Sequence, residues 1–389
     1  MRIGIDLFSL VPSVGRGAGF HRYVHGLVSA LGQLDDGNTY VLFLNSLNAQ
    51  TFAPSERFIR TVVPLPPQRE LWPARLAWQH GLLPVLAARH RLDLVHFPLD
   101  TASFALGRPY VVTINDLIAD VYYPAHFPAS QSRVKSQYLF RLKRRSARRA
   151  MAVLCPSETT SRLVAQHYGV PREKIHVVPY AADEQFFWDG KPRPSPGPVP
   201  YVLSVVSLSP HKNIATLVDA FARARQRFGL AHRLHIVGMP GTDPRPIERY
   251  LAEQRLRGLP VHYLGFVEDA ELRTAYAAAD LFVYLSLVEG FGLPPLEAMA
   301  SGVPVIASKD SSLPEVCGDA ACLVPPQDVE AVASAIGRVL TNPPLVMRLV
   351  EAGKRRAAQF SWSHTARQTI EVYQQSITPQ RMWTDACHE

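Results

Sequence analysis

Short runs of apolar residues alternate along the chain with longer segments in which apolar positions recur every three or four residues. The short runs have the length and composition of buried strands, and the longer segments have the period of helices that pack one face on a sheet. This alternation is typical of parallel βαβ units. The first series of predicted strands covers residues 3–8, 40–44, 94–96, 110–114, 152–155 and 175–178.

A proline-rich stretch at residues 189–200 interrupts the alternation with five prolines and two glycines, which predicts an exposed linker. A second series of predicted strands follows, at 201–206, 234–237, 261–264 and 281–285. We therefore predict an α/β chain with two doubly wound, Rossmann-like domains, an N-terminal one over 1–188 and a C-terminal one over 201–360. Such sheets bind ligands at the carboxyl ends of their strands, so we expect function in a central cleft that both sheets face.

Two helices can be placed from apolar spacing. Asn213 is a candidate N-cap, and the apolar positions that follow it recur at i, i+3, i+4 and i+7, so one helix face should pack on the second sheet. A similar stripe begins at Trp362 and continues to Tyr373. We expect the segment 361–389 to hold a helix that crosses back to the first domain, followed by a tail.

Composition narrows the class of protein. The chain has 389 residues, of which 47% are hydrophobic and 19% charged, which excludes a disordered, collagenous or coiled-coil protein. The four cysteines contain no CxxC pair and favour a reducing compartment. Neither a signal-peptide pattern nor an apolar run of about 18 residues is found, so we expect a cytoplasmic location.

The net charge of +8 has a local origin. No acidic residue lies between Asp120 and Glu158, whereas eight basic residues fall there, from Arg133 to Arg149. A cluster of this kind is either a solvated helix face or a surface for an anionic partner. No nucleic-acid motif accompanies it, so of the binding interpretations we favour an anionic membrane surface, with peripheral attachment to the inner membrane face.

The densest chemical signal follows the predicted strand 281–285. Gly290 and Gly292 allow the backbone to approach a ligand closely, and the two prolines after Leu293 suit the start of a helix. Free N–H groups around Phe291 to Leu293 would form an anion site suited to a pyrophosphate. Glu289 and Glu297 flank this loop, and their carboxylates can accept hydrogen bonds from sugar and ribose hydroxyls. Taken singly, each glutamate is equally well explained as a loop charge or as a complement to the helix dipole.

A second glycine loop follows the opening strand, with glycines at 15, 17 and 19 before a predicted helix. The N–H groups near Gly17 and Gly19 could reach a phosphate. The spacing departs from GxGxxG, which disfavours a dinucleotide cofactor, and the chain lacks the GxxxxGK[ST] motif of P-loop enzymes. No metal site is predicted: His21 and His25 share a helix face, but Arg22 stands where a zinc protease would have glutamate.

The stretch from Glu289 to Glu297, continuing to Ala307, resembles the Glu-x7-Glu motif of glycosyltransferase family 4. Further segments of this kind occur around 207–213, 237–238, 265–267, 313–321, 113–117, 156–158 and 177–183, so the resemblance covers nearly the whole chain. It implies the GT-B fold and a retaining, nucleotide-sugar-dependent activity. The variant of the motif found here is similar to that of bacterial mannosyltransferases of lipopolysaccharide and exopolysaccharide assembly.

The resemblance also implies roles for single residues. Lys212 matches the lysine that binds the donor phosphates, Glu297 the glutamate on the ribose, Glu289 the one facing the transferred sugar, and Val267 a backbone contact with the base. Many relatives carry an arginine where this chain has Ser207, and some carry one at the position of His211, which is expected to compensate in part.

Asn115 stands where many relatives have a histidine near the reaction centre. Asparagine can hydrogen-bond but cannot accept a proton at neutral pH. Catalysis would then consist of charge stabilisation of the leaving diphosphate by Lys212 and the helix N-terminus, together with positioning.

We predict from these residues a hexosyltransferase, with GDP-mannose as the favoured donor, a lipid-linked or polysaccharide acceptor, and no metal or nucleic acid. Two alternatives stay open. Ser207 and Asn115 are compatible with a protein that binds nucleotide sugars but has lost catalysis, and the same fold also allows a nucleotide-sugar hydrolase or epimerase.

Overall fold

The computed structural model describes residues 1–10, 18–52, 55–64, 71–126, 133–188, 190, 199–241 and 244–377. The chain divides into two compact units. The first holds the start of the chain, Tyr23–Val178 and the chain from Ser363 onward. The second holds Pro179–Trp362 and a short earlier segment that ends at Arg22. Most of the predicted linker at 189–200 lies outside the described residues.

A seven-stranded parallel sheet forms the centre of the first unit. Its strands are β1 (Arg2–Asp6), β2 (Thr39–Asn45), β3 (Phe58–Val63), β4 (Leu94–Phe97), β5 (Tyr110–Thr113), β6 (Ala152–Cys155) and β7 (Ile175–Val177). In space their order is β3-β2-β1-β4-β5-β6-β7, so the direction in which the chain progresses reverses between β1 and β4. Ligands of doubly wound sheets bind beyond the carboxyl ends of the strands at such a reversal.

The first unit's helices pack on this sheet through apolar stripes. Tyr23, Leu27 and Leu31 are buried on one face of the first helix. Ser157 caps the helix after β6, because its side chain accepts a hydrogen bond from the Thr160 N–H. The helices are α1 (Ala18–Gln33), which belongs to this unit from Tyr23 onward, α2 (Leu71–Ala77), α3 (Leu83–Arg89), α4 (Tyr123–His126), α5 (Arg133–Arg149) and α6 (Glu158–Leu163).

The second unit contains a six-stranded parallel sheet. Its strands are β8 (Tyr201–Val205), β9 (Arg233–Val237), β10 (Val261–Gly265), β11 (Leu281–Tyr284), β12 (Val305–Ser308) and β13 (Ala321–Val324). The spatial order β10-β9-β8-β11-β12-β13 reverses between β8 and β11. The loops that leave these two strands therefore form the expected ligand-binding edge of this sheet.

Helices cover this sheet as the apolar spacing predicts. Ile214, Leu217, Val218 and Phe221 are all buried, which confirms the predicted face of the helix after Asn213. The helices are α7 (Ile214–Phe228), α8 (Arg245–Leu256), α9 (Asp269–Ala278), α10 (Leu293–Ala300), α11 (Leu313–Cys317), α12 (Val329–Leu340) and α13 (Pro343–Ala357).

The predicted capping role of Asn213 is wrong. This residue has a left-handed backbone conformation (φ 56°), and its side chain accepts no hydrogen bond from a helix N–H. Its amide instead donates to the carbonyl of Pro326 (2.6 Å), and its oxygen accepts from the hydroxyl of Thr216 (2.7 Å). Asn213 thus ties the start of α7 to a distant loop.

A last helix, α14 (Trp362–Ile377), provides most of the first unit's C-terminal segment. The hydroxyl of Tyr373 lies 2.7 Å from Nδ1 of His96 on β4, and both residues are fully buried. Nε2 of His96 lies 2.8 Å from the hydroxyl of Thr113, which in turn lies 2.8 Å from that of Tyr23. This chain of polar contacts joins α14, the sheet and α1 inside an otherwise apolar core.

Shorter helical segments complete the fold. They are of 3₁₀ type at Arg172–Lys174, Glu184–Phe186, Pro210–Lys212 and Gly318–Ala320, and of π type at Trp78–Leu82, Ile118–Tyr122 and Val164–Tyr168. Among the helices of the described ranges, none has the length and apolar character required to cross a bilayer.

Candidate active site

The loops that follow β8 and β11 meet at the carboxyl edge of the second sheet. The N–H of Leu287 donates to the carbonyl of His211 (2.8 Å), and the hydroxyl of Ser286 donates to the same oxygen (3.2 Å). Because β8 and β11 are hydrogen-bonded neighbours, these contacts bring Lys212 from one loop next to Glu289 from the other. Residues 77 positions apart in sequence therefore share one site.

Lys212, Glu289 and Tyr284 form a compact polar group. The Lys212 ammonium is paired with the Glu289 carboxylate and lies 3.1 Å from the hydroxyl of Tyr284. Tyr284 also donates to Oε1 of Glu289 (2.7 Å). Burial favours the protonated form of Glu289, but the positive charge of Lys212 outweighs it and holds the pKa of that carboxyl below its usual value. The site therefore holds a fixed carboxylate beside a fixed cation.

The glycine loop after β11 leads directly into α10. Gly292 has a φ of 111°, a backbone conformation that favours glycine, and a Cβ built there would lie 2.6 Å from Cδ2 of Leu313, whose side chain would have to shift. The Ser312 hydroxyl donates to the carbonyl of Phe291 (2.8 Å) and thereby holds the backbone of the glycine loop in place. The helix begins at Leu293, and Pro294 is its second residue, as the proline pattern predicts.

The prolines limit which groups an anion can contact. Pro294 and Pro295 have no N–H, so the donors at this helix start are those of Gly292 and Leu293. The helix contributes the positive end of its dipole to the same place.

Glu297 is fully buried on α10, with no exposed surface. Its Oε2 accepts a hydrogen bond from the hydroxyl of Tyr276 (2.9 Å), and its Oε1 is paired with Arg22, which also contacts Asp269 (2.9 Å). Burial raises the pKa of this carboxyl, against the opposing effect of Arg22. Both oxygens of this carboxylate therefore have a protein partner.

The loop after β8 carries less positive charge than its pattern in relatives implies. The Ser207 hydroxyl donates to that of Ser209 (3.0 Å) and supplies no charge. His211 is 7% exposed, and burial lowers its pKa to about 3, so it is neutral at pH 7. His211 therefore adds no positive charge to this loop at pH 7, and Lys212 is the cation that the loop provides.

Two further positions of the predicted pattern in the second unit follow β9 and β10, at the carboxyl ends of these strands. Val267 is half-buried and follows β10, two strands from β8. Gly238 follows β9 with a φ of 141°, and a Cβ there would lie 2.2 Å from the carbonyl oxygen of Val206. The loops after β8 and β9 are consequently in backbone contact, which leaves no room for a side chain between them.

Asn115 belongs to a separate polar group at the carboxyl edge of the first sheet. Its side-chain amide donates to the carbonyl of Pro98 (3.1 Å) and to Oδ1 of Asp100 (3.2 Å). Asp100 has a left-handed backbone (φ 57°), unusual for a residue with a side chain, and its other oxygen lies 3.3 Å from the ammonium of Lys143. Asn115 is thus held by a carboxylate that sequence patterns did not indicate.

The N-terminal glycine loop is only partly visible. Gly17 lies outside the described residues. Gly19 was expected in the loop before the helix, but α1 already begins at Ala18, so Gly19 lies in its first turn. A Cβ at Gly19 would meet no atom within 4 Å, so local packing does not require glycine there.

Sequence reasoning missed the two tyrosines that contact the motif glutamates. Tyr276 and Tyr284 stand at apolar positions of α9 and β11 and are buried like their neighbours, so their spacing marks them only as core residues. A buried tyrosine needs a partner for its hydroxyl, and the nearby glutamates of the motif were the available signal. As for metals, the parts of the chain that the structure describes hold no cluster of three His, Cys, Asp or Glu suited to an ion.

Two family models match the chain and together span nearly all of it. Residues 17–186 match glycosyltransferase family 4, and residues 189–356 match glycosyl transferases group 1. With two parallel-sheet units and the Glu-x7-Glu motif in place, the chain belongs to glycosyltransferase family 4 and has the GT-B fold. The prediction of family and fold class is confirmed.

Particular relatives are mannosyltransferases. The chain is 35% identical over 214 residues to O-antigen chain mannosyltransferase B of Escherichia coli, covering 55% of this chain and 53% of the relative. It is 35% identical over 243 residues to the MMP alpha-(1->4)-mannosyltransferase of Mycolicibacterium hassiacum, covering 61% of this chain and 57% of the relative. The chain thus spans little more than half the length of these curated relatives.

Solved structures share the fold at lower identity. Sucrose-phosphate synthase from Thermosynechococcus elongatus superposes with a TM-score of 0.77 at 23% identity, covering 96% of this chain and 98% of that one. The Anabaena protein HepE, solved in complex with UDP and glucose, gives a TM-score of 0.74 at 22% identity, covering 96% of this chain and all of that one, 100%.

Proposed function

We propose that the protein transfers mannose from GDP-mannose, with retention at the anomeric carbon, to a lipid-linked or polysaccharide acceptor. The observation that carries this proposal is the pairing of Lys212 with Glu289 beside the start of α10. A cation and a helix N-terminus at one point suit a diphosphate, and an adjacent ionised carboxylate suits the hydroxyls of a sugar. The mannosyltransferase relatives support the choice of sugar.

The reaction exchanges two bonds at one carbon. The bond between the anomeric carbon and the phosphate oxygen breaks, a bond from the same face to the acceptor oxygen forms, and the acceptor proton passes to the departing phosphate. Lys212 and the N–H groups of residues 291–293 stabilise the negative charge that develops on the diphosphate. Glu289 orients the sugar, and Glu297 accepts hydrogen bonds from the ribose.

Asn115 has a positioning role in this scheme. Its amide cannot take a proton, and both the Pro98 carbonyl and Asp100 hold it in place. Transfer of the acceptor proton to the leaving phosphate removes the need for a base at this position. No metal is required, because Lys212 and the helix start neutralise the diphosphate.

A second candidate is a protein that binds nucleotide sugars without turning them over. The neutral state of His211 and the absence of charge at Ser207 favour it, since both reduce stabilisation of a leaving diphosphate. A hydrolase or epimerase would use the same donor site but pass the sugar to water or change its configuration.

Isothermal titration calorimetry with GDP-, UDP- and ADP-sugars tests the proposal, with the free diphosphates as references. We expect GDP-mannose to bind best, and Lys212→Ala to weaken binding about tenfold or more, as loss of a charged contact to phosphate should. Lys309→Ala, which removes an exposed lysine of the same unit, is the matched control and should bind like wild type. Equal, weak binding of every nucleotide sugar would overturn the proposal. Binding without transfer to any added glycan or lipid acceptor would favour the second candidate.

We further propose that the exposed arginines of α5 hold the protein at an anionic membrane surface on its cytoplasmic side, where a lipid-linked acceptor would be found. Arg141, Arg144, Arg145, Arg148 and Arg149 are all exposed on this helix. About 1 kcal/mol of attraction for each basic residue near such a surface would make binding dependent on both lipid charge and salt.

A further inference from the structure

We propose that Tyr276 and Tyr284 are positioning residues of the donor site, each holding one of the two motif glutamates so that Tyr276 governs affinity for the nucleoside and Tyr284 governs recognition of the transferred sugar. This inference rests on the proposed function, because it assumes that Glu297 and Glu289 contact those two parts of a nucleotide sugar.

The two contacts are alike although they come from different elements. The hydroxyl of Tyr276, on α9, donates to Oε2 of Glu297 (2.9 Å), and that of Tyr284, at the end of β11, donates to Oε1 of Glu289 (2.7 Å). Both tyrosines and Glu297 are at most 2% exposed. Each motif glutamate therefore has one oxygen occupied by a buried neutral donor, which leaves the orientation of its carboxylate little freedom.

The rings of these tyrosines belong to one aromatic wall. Phe282 lies between them, with ring centroids 5.5 Å from Tyr276 and 6.1 Å from Tyr284. Phe186 extends the wall, with its ring 5.7 Å from that of Tyr276. Phenylalanine would fill the same volume at 276 and 284, so packing explains the rings but not the hydroxyls. The hydroxyl oxygens have the glutamates as their acceptors, and this specific match points to the site.

Burial also keeps both donors in one protonation state. The phenol of each tyrosine is desolvated and lies against a carboxylate, so its pKa is well above the usual value. Neither hydroxyl ionises across the physiological range, and each can only donate to its glutamate. At Tyr284 the hydroxyl oxygen also accepts from Lys212 (3.1 Å), which connects the phosphate-binding cation to the sugar-binding carboxylate.

The experiment compares the binding of GDP and GDP-mannose to Tyr276→Phe, Tyr284→Phe and wild type by calorimetry. Each substitution removes one oxygen atom and keeps the ring. Tyr201→Phe is the matched control, because the hydroxyl of Tyr201 is also in the second unit but donates to the backbone carbonyl of Ala275 (2.8 Å). Thermal unfolding of all three variants shows whether each one folds and how far general stability changes.

We expect Tyr276→Phe to weaken the binding of GDP and of GDP-mannose by the same factor, about tenfold. We expect Tyr284→Phe to leave GDP affinity within about threefold of wild type but to reduce the preference for GDP-mannose over GDP by about tenfold. In a Glu289→Gln background the effect of Tyr284→Phe on this preference should disappear, because the tyrosine acts through that carboxylate.

A merely structural role for the hydroxyls predicts something else. All three tyrosine variants would then lose thermal stability to a similar extent, and the ratio of GDP-mannose to GDP affinity would match that of wild type. That result would overturn the inference and leave the proposed function intact. Failure of wild type to bind any nucleotide sugar would overturn the proposed function, and the inference with it.

Discussion

The ammonium of Lys143 lies 2.9 Å from a carboxylate oxygen of Asp120, inside the first unit, although Arg141 and Arg144 on the same helix are exposed. Burial opposes its charge, but the nearby carboxylates of Asp100 and Asp120 outweigh this and raise its pKa. Lys143 therefore neutralises carboxylates inside the unit and does not belong to its exposed basic surface. The sequence, in which all these residues form one run, could not separate the two roles.

This division makes a prediction about membrane binding. Arg141 and Arg148 are exposed and seven positions apart, on one face of α5. The double substitution Arg141→Gln/Arg148→Gln should reduce binding to vesicles containing phosphatidylglycerol by about 2 kcal/mol, measured by flotation at low salt. Lys143→Gln should leave flotation unchanged but lower the melting temperature, because it leaves Asp100 and Asp120 without their cation. Equal flotation of wild type and the double variant would remove α5 from any membrane role.

The buried histidines predict acid sensitivity. Burial lowers the pKa of His96 to about 3, whereas an unfolded chain takes up the proton near its ordinary value of about 6.5. The unfolded state therefore binds more protons between these values, and stability should fall as the pH is lowered from about 6.5. Urea unfolding at pH 7, 6, 5 and 4 measures the slope. His96→Gln, which cannot titrate, should flatten it, and an unchanged slope would contradict the assignment.

Two glycines of the donor site differ in what surrounds them. Gly238→Ala should lower the free energy of unfolding by about 2–4 kcal/mol, because the new Cβ would collide with a backbone carbonyl that cannot move aside. Gly292→Ala should lower the free energy of unfolding by less, about 1–3 kcal/mol, because the side chain of Leu313 can adjust.

Gly258→Ala is the matched control for both. Gly258 has a φ of 85° but open space around it, so it isolates the effect of backbone conformation, about 1 kcal/mol. Chemical denaturation gives all three values. If Gly238→Ala proved no worse than Gly258→Ala, the close approach of the loops after β8 and β9 would be contradicted.

A charge placed at Asn115 tests the contact with Asp100. Asn115→Asp puts a second carboxylate where the amide lies 3.2 Å from Oδ1 of Asp100, so we expect a loss of about 1–3 kcal/mol at pH 7. Asn115→Ala also loses the amide contacts but introduces no charge, so its loss in the free energy of unfolding, measured by urea denaturation, should be smaller than that of Asn115→Asp.

Much of the fold could be predicted because the spacing of apolar residues along the chain indicates which positions are buried. Parallel strands with both faces covered gave continuous apolar runs, and α7 and α14 gave clean stripes. Sequence reasoning missed β3, β12 and β13. The strand β3 lies at a sheet edge and is only half-buried, so its sequence lacks an apolar run. Residues 305–308 and 321–324 are runs of only four residues, too short for their apolar character to indicate a strand.

The site was predictable in its residue types but less so in its contacts. Lys212 and Glu289 could be named from motif and loop, but their pairing depends on β8 lying beside β11, which only the topology supplies. The state of His211 depends on burial in three dimensions, which its position beside Lys212 does not indicate. Asn213 has the composition of a cap, yet tertiary partners at Thr216 and Pro326 take up its side chain.

The contact between Tyr373 and His96 has a consequence for the order in which the protein is made. Ribosomes release the chain from its N-terminus, and domains generally fold as units during synthesis. The core of the first unit receives Tyr373 only after the entire second unit has been translated. The second unit can thus fold before α14 has been translated, while His96 in the first unit still lacks its partner. A nascent chain stalled before residue 373 would therefore carry one folded unit and one incompletely folded unit.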